Sequence, residues 1–184
     1  MKKTALWAVA ALLAALVPVT SSTASAEPAT AWTTSVAAPS ADARRTARLA
    51  IAKIGVNAGI IPVGVNPSGE LAVGRSVTDV YRWRHGVFPG DPGSAVLAGH
   101  TWSRGNGVFY NLGRLRKGDL VQVGRARFRV TKVRKVRRLS AKAVRGLYSD
   151  MGKPRLVLIT CCDRNAATGV YASRILVYAD KARR

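Results

Sequence analysis

The sequence predicts an all-β domain, a barrel or a sandwich, over the greater part of its 184 residues. After Arg44 and Arg45, short apolar runs alternate with Gly, Pro and Asn about every eight to twelve residues, a spacing typical of many-stranded β folds. The sequence shows no heptad, internal repeat or glycine-rich phosphate loop. With 48% hydrophobic residues, it can close a single core, and its length favours one domain.

The candidate strands are short apolar runs bounded by turn-forming residues. In chain order they are residues 48–54, 59–65, 94–98, 120–123, 127–133, 156–160 and 174–179. Gly124 and Arg125, between DLVQV and ARFRVTKV, are expected to form a tight hairpin turn in which glycine supplies the positive φ. Ser140 is the expected N-cap of one or two helical turns in SAKAVRGL.

Two of these strands are predicted to be covered on both faces. LVLIT before Cys161 is continuously apolar, and SAVLAG before His100 is nearly so. Continuous apolar runs indicate strands in the middle of a closed or well-packed sheet. Cys161 and His100 are therefore expected at the rim of the core.

The N-terminal residues 1–26 have the features of a secretory signal peptide. Lys2 and Lys3 precede an apolar run, and Ala24-Ser25-Ala26 forms a small-x-small site that predicts cleavage before Glu27. The apolar run is shorter than the roughly 20 residues of a spanning helix, so an N-terminal membrane anchor is the alternative. Residues 27–44, rich in Ala, Ser, Thr and Pro, are predicted to be a flexible tether, and residues 45–184 the folded domain. The protein is thus expected outside the cytoplasm, extracellular or associated with the cell envelope.

The formal net charge of +21 comes from 30 basic and 9 acidic residues and predicts an affinity for polyanions. For an exported protein we expect anionic envelope polymers rather than nucleic acid. Residues 125–138, RARFRVTKVRKVRR, hold eight basic side chains in fourteen positions. Their alternation with Phe128, Val130 and Val133 fits a strand with a solvated charged face, and that face is also a candidate polymer-binding surface.

The two cysteines, Cys161 and Cys162, are adjacent, and a bridge between neighbours would be strained. Because successive strand residues face opposite ways, if one thiol faces the core, the other is expected to face outward or into a cleft. A thiol nucleophile needs a base, and His100, directly after a buried strand, is a better candidate than His85 in the predicted loop YRWRHGVFPGDPG. Arg174 could stabilise negative charge on a carbonyl oxygen. Two cysteines and two histidines lack zinc-ligand spacing and carboxylates are scarce, so no metal or other cofactor is expected.

These residues carry a family resemblance. The segment LITCCDRNAATGVYASRILVYA resembles the sortase signature, including the thirteen-residue step from Cys161 to Arg174. PGDPGSAVLAGHTWS is similar to the family segment PGxxGxxxxAGH, which ends on His100. The similarity runs from about Ile54 to Ala179 and is strongest to the actinobacterial group called class F, which borders on class E.

The resemblance implies a closed eight-stranded β-barrel with short helices in its connections, and a cysteine transpeptidase activity. The expected substrates are surface proteins with an LPxTG-like sorting signal, cleaved between Thr and Gly through a thioester on Cys161. The acyl group would pass to an amine of a cell-wall precursor or to water. His100 would protonate the leaving amine, Arg174 would stabilise the oxyanion, and Thr160 would help to bind substrate.

A function from another class stays open on the residues alone. A non-catalytic, exported polyanion-binding module would account for the charge of the chain. It would leave the LITCC and AGH strand endings unexplained.

Overall fold

The computed structural model describes residues 40, 47–67, 69–102, 105–137 and 139–183. The predicted signal peptide and, apart from Ser40, the predicted tether lie outside the described residues. Among the residues that are described, no helix combines the length and hydropathy needed to cross a bilayer.

The described residues contain eight strands that close into a barrel, which confirms the predicted fold class. Around the barrel the order is β1-β2-β3-β4-β7-β8-β6-β5, and β5 pairs with β1 to close it. The β2–β3 and β4–β7 pairs are parallel, and the other pairs are antiparallel. The strands are β1 (Arg48–Ile51), β2 (Val56–Val63), β3 (Val80–Trp83), β4 (Ser94–Gly99), β5 (Leu120–Val123), β6 (Ala126–Val136), β7 (Arg155–Arg164) and β8 (Tyr171–Lys181).

Short helices occupy the connections, as predicted. Helix α1 (Ala141–Leu147) begins after Ser140, whose side chain accepts a hydrogen bond from the Ala143 amide at 3.2 Å. This bond confirms Ser140 as the N-cap. The predicted turn between β5 and β6 is also confirmed, with Gly124 at φ 53°. Two short 3₁₀ helices span Ala52–Ile54 and Leu112–Arg114.

Several element boundaries differ from the prediction. The predicted first strand ends at Ile51 and continues as a 3₁₀ helix that stops at Gly55, whose φ is 68°. Strand β3 lies in a segment that was predicted to be a loop. Its Val80 and Tyr81 are buried, and it is held by a parallel pairing with β2, a contact between residues distant in the chain.

The apolar side chains form two clusters. The larger fills the barrel and takes alternate residues from the strands. A smaller cluster lies between α1 and the outer face of the sheet, with Leu147 packing on Val96, Val157 and Leu176. All six residues of β4 are therefore buried, which confirms that this strand is covered on both faces. The largest fully buried side chains are Phe109, Phe128, Leu49, Ile51, Leu97, Leu112, Leu115, Leu156, Leu158, Leu176, Val80 and Val121.

Candidate active site

The sulfur and guanidinium side chains come from directly paired positions. In the antiparallel β7–β8 ladder, Cys161 is the partner of Arg174. Opposite residues project to the same face with Cβ atoms about 4.5–5.5 Å apart. The sequence predicted that β7 would end at 160 and that β8 would begin at 174, whereas the ladder continues to Arg164 and Tyr171. The pair therefore lies within a continuous ladder, which holds both backbones in place.

The imidazole follows the neighbouring strand at the same level. Strand β4 runs parallel to β7, with Ala98 opposite Ile159. Extending that register by two residues brings His100 level with Cys161 and on the same face. Three adjacent strands thus bring the three predicted catalytic residues, His100, Cys161 and Arg174, to one part of the barrel wall.

The core contacts show which face of the wall this is. Val157 and Leu176, which alternate in phase with Cys161 and Arg174, pack in the cluster under α1, outside the barrel. Cys161 and Arg174 accordingly face outward. Cys162 is on the opposite face of β7 and points inward.

The environment of Cys162 disfavours its thiolate. Its strand partner Ser173 is only 1% exposed, and both cysteines are free thiols. Burial raises the pKa of the Cys162 thiol above its usual range, and the carboxylate of Asp163 raises it further. Because the thiolate is the nucleophile, Cys162 is poorly suited to attack a carbonyl at neutral pH. The inward orientation and the raised pKa of Cys162 therefore favour Cys161 as the nucleophile.

His100 is held by a loop that the sequence analysis did not single out. Its Nε2 lies 2.8 Å from the carbonyl oxygen of Gly74 in the connection between β2 and β3. A carbonyl only accepts hydrogen bonds, so Nε2 carries a hydrogen and Nδ1 is the acceptor in the neutral ring. The Tyr81 ring packs edge-on against the imidazole, with centroids 6.2 Å apart. A Cβ at Gly74 would lie 2.8 Å from the Tyr81 ring, so glycine permits this approach.

His85 lies at the opposite end of β4 from His100. It follows β3, which is antiparallel to β4, so it lies near the start of β4 whereas His100 follows the end. Its ring packs against Trp83, with centroids 6.0 Å apart. Between the two histidines, the register favours His100 as the partner of the thiol.

Thr160 connects the strands that carry the thiol and the imidazole. It is 3% exposed, and its hydroxyl donates a 2.7 Å hydrogen bond to the carbonyl oxygen of Gly99. The bond joins the residue before Cys161 to the residue before His100, which favours a positioning role. Direct contact between Thr160 and substrate stays a prediction.

The guanidinium of Arg174 bends back towards the start of its own strand. Its Nη1 donates to the carbonyl oxygens of Tyr171 and Ser173, at 3.2 and 3.0 Å. An arginine has five N–H donors, so the three on Nη2 and Nε remain for an incoming anion. The bonds through Nη1 fix the orientation of the guanidinium on the strand position that pairs with Cys161.

Exposed aromatic side chains border the site, and the sequence analysis missed them. Trp102, two residues after His100, packs against Tyr110 at 6.2 Å between centroids. Their exposed fractions are 44% and 50%. The Tyr171 hydroxyl donates to the carbonyl oxygen of Trp102 at 2.9 Å and so joins the segment after His100 to the start of β8. The run GHTWS offered no signal for this pairing, because Tyr110 comes from the following loop.

Comparisons with known proteins identify the family and the fold. Residues 49–182 match the Sortase domain family model. Among solved structures, the chain is similar to sortase C-1 from Actinomyces oris, with 27% identity, a TM-score of 0.59, and coverage of 75% of this chain and 74% of that chain. No curated protein sequence matches the chain.

Two more distant structures share the fold. Sortase A from Listeria monocytogenes is 17% identical, with a TM-score of 0.58 over 76% of this chain and 88% of that chain. The sortase D5 transpeptidase from Clostridium perfringens is 21% identical, with a TM-score of 0.56 over 75% of this chain and 79% of that chain. Since the family model spans well over half of the chain, this protein belongs to the sortase family of cysteine transpeptidases.

Proposed function

We propose that this protein is an exported sortase, most like class F, that cleaves an LPxTG-like sorting signal between Thr and Gly. The acyl group passes to an amine of a cell-wall precursor, or to water. The observation that carries the proposal is the alignment of His100, Cys161 and Arg174 on three adjacent strands. A nucleophile, a proton carrier and a fixed cation on one outward face are the groups that acyl transfer requires.

The first step forms a thioester. The Cys161 thiolate attacks the carbonyl carbon of the scissile Thr–Gly bond, and the carbonyl oxygen becomes negatively charged. The remaining N–H donors of Arg174 stabilise that oxygen. The C–N bond then breaks, and His100, protonated by the proton that left Cys161, gives its proton to the departing glycine amine.

The second step releases the product. An acceptor amine attacks the thioester carbon and passes a proton to His100, and the C–S bond breaks to restore the Cys161 thiolate. Water in place of the amine gives a free carboxylate. Because Nε2 of His100 is bound to Gly74, proton exchange at the site is assigned to Nδ1.

Export of the protein rests on the N-terminal sequence. Residues 1–26 combine lysines, a short apolar run and a small-x-small cleavage site. Export would bring the enzyme to sorting-signal substrates and wall precursors. Sequencing the N-terminus of the protein recovered from its host tests this point: a start at Glu27 supports cleavage, whereas a retained Met1 supports the membrane anchor.

Mass spectrometry of the purified protein with LPxTG-like peptides, with and without an amine acceptor, tests the catalytic proposal. We expect a trapped acyl adduct on Cys161 and an amide product when the amine is present. His100→Ala should abolish turnover, whereas His85→Ala, the same change near the other end of β4, should retain it. Cleavage that survives blocking of the thiols would contradict the proposal, and the absence of both cleavage and an acyl adduct would favour a binding module.

A further inference from the structure

The outer face of β6 carries a row of basic side chains, Arg127, Arg129, Lys132 and Arg134. Strict alternation would place residues 132 and 134 inside the barrel, on the other face from 127 and 129. A bulge between Val130 and Lys132 shifts the register by one residue. As a result the inner face keeps its apolar residues while all four basic residues, called here the β6 basic row, face outward.

The bulge is anchored within the sheet. The hydroxyl of Thr131, the extra residue, donates to the carbonyl oxygen of Tyr178 at 3.2 Å. On either side of the bulge the ladder to β8 is regular, with Arg129 opposite Asp180 and Arg134 opposite Leu176. The outward direction of the β6 basic row is therefore fixed by the backbone pairing of the strand.

The charges of the β6 basic row are exposed, and none forms an ion pair with a described residue. Within the described part of the chain, the row makes one side-chain hydrogen bond, in which Arg129 donates to the carbonyl oxygen of Gly118 at 3.3 Å. Across β5 the row is bordered by the uncharged Leu120 and Gln122. Across β8 it is bordered by Tyr178 and Leu176, and by the carboxylate of Asp180 opposite Arg129, so the positive surface is about one strand wide. A narrow row of this kind suits a chain-like polyanion better than a broad anionic surface.

The row leads to the active site. From Arg127 to Arg134 it is about 20 Å long at roughly 3.3 Å per residue. Two residues further along β6, Val136 is the direct partner of Arg174. A polymer along the row would therefore end beside Arg174, the strand partner of Cys161.

We propose that the β6 basic row binds a linear phosphate-bearing polymer and holds it beside the active site. Three of its four members are arginines, whose planar fork matches phosphate oxygens in pairs, so phosphate is favoured over carboxylate. For an exported protein the source is an anionic polymer of the cell envelope. Binding is electrostatic and does not require the thiol.

Fluorescence anisotropy with a labelled poly(glycerol phosphate) chain, over a series of salt concentrations, tests this site. With four phosphate contacts at about 0.7 each, log Kd should rise with log salt at a slope of about 3. That slope corresponds to about 50-fold weaker binding at 200 mM than at 50 mM salt. Changing all four residues of the row to Gln should remove this slope, and each single change to Gln should lower it by about 0.7.

A matched variant separates a site from bulk charge. Changing the exposed Lys117, Lys142, Arg145 and Lys153 to Gln removes the same charge outside the row and should leave the affinity within about threefold. Equal losses in both quadruple variants would overturn the proposal. Row-dependent binding of equal strength to polyglutamate would overturn the phosphate assignment, and tighter row-dependent binding to phosphatidylglycerol vesicles would identify a membrane instead.

Two further measurements keep the result independent of catalysis. Cys161→Ala should bind the polymer as tightly as the unaltered protein, whether or not the transpeptidase proposal holds. The quadruple row variant should cleave free peptide at the unaltered rate, which also verifies that it folds. Loss of polymer binding in Cys161→Ala would contradict a site confined to β6.

Discussion

The two halves of the β7–β8 hairpin share one ladder but differ in burial. In the first half Leu158 and Val177 are fully buried in the barrel, and α1 covers the outer face. In the second half the pairing continues, but Cys161 and Arg174 are only partly buried. The sheet thus extends beyond its core and presents reactive groups on a backbone that the ladder keeps rigid.

The ladder becomes irregular just beyond the reactive pair. Asp163 has a φ of 55° and is the only non-glycine residue with positive φ in the described ranges. Pairing resumes at Arg164 opposite Tyr171. Aspartate tolerates this conformation better than most residues do. The regular ladder therefore reaches just past Cys161. The buried half of the hairpin contributes to the core, and the partly exposed half carries the reactive side chains.

The largest effect is expected from the two cysteines, which face opposite sides of the exposed half. Cys161→Ala should lower cleavage of an LPxTG-like peptide by at least about 10³-fold, because no outward nucleophile remains. Cys162→Ala should keep activity within about tenfold, because its thiol faces inward. The measurement is kcat/KM with a fluorogenic peptide. The reverse pattern would assign the nucleophile to Cys162 and contradict the outward face as the site.

The next effect concerns Arg174. Arg174→Ala should lower kcat by about 10²-fold or more, as expected for the loss of an oxyanion donor. Arg174→Lys should recover little, since an ammonium lacks the planar set of donors. Single-turnover kinetics would locate the loss in thioester formation. If Lys restored the full rate, a point charge would be sufficient and the geometric role would fail.

Local patterns predicted the parts of this molecule that depend on neighbours in sequence. The buried strand β4, the Gly124 turn and the Ser140 cap all follow from runs of a few residues. Strand β3 was missed because VYRW carries a mixed pattern, and its pairing with β2 is a contact distant in sequence. The extensions of β7 and β8 were missed because polar, half-exposed residues continue a ladder that hydrophobicity does not mark.

The candidate site divides in the same way. His100, Cys161 and Arg174 were predicted because strand endings and a recognisable motif mark them. The Gly74 carbonyl was not, because a backbone acceptor leaves no side-chain signal and its loop is 26 residues from His100. The aromatic border of Trp102, Tyr110 and Tyr171 likewise exists only once the loops are folded.

A smaller effect, at the boundary between the halves, tests what Thr160 does. Thr160→Val removes the buried hydroxyl and leaves the Gly99 carbonyl without its partner, so we expect a loss of about 1–3 kcal/mol in the free energy of unfolding. Urea unfolding measures it, and Thr160→Ser should restore most of the stability. A positioning role also predicts a lower kcat at unchanged KM. A raised KM with unchanged stability would instead indicate direct substrate contact.

The smallest effect belongs to the ion pair on the exposed half, in which Lys135 Nζ lies 2.6 Å from the Asp163 carboxylate. The hydrogen bond between them lowers the pKa of Asp163 below 3.8 and raises the pKa of Lys135 above 10.5. The depressed carboxyl pKa stabilises the fold above pH 3.8, and that contribution is lost as pH falls through the folded value. The raised ammonium pKa stabilises it below pH 10.5, with loss as pH rises through the folded value. The free energy of unfolding of Lys135→Gln should therefore differ from that of the unaltered protein only between these two pH limits. The difference should be small, because both groups are in water. A difference that persisted at pH 2 would mean that Lys135 stabilises the protein through something other than Asp163.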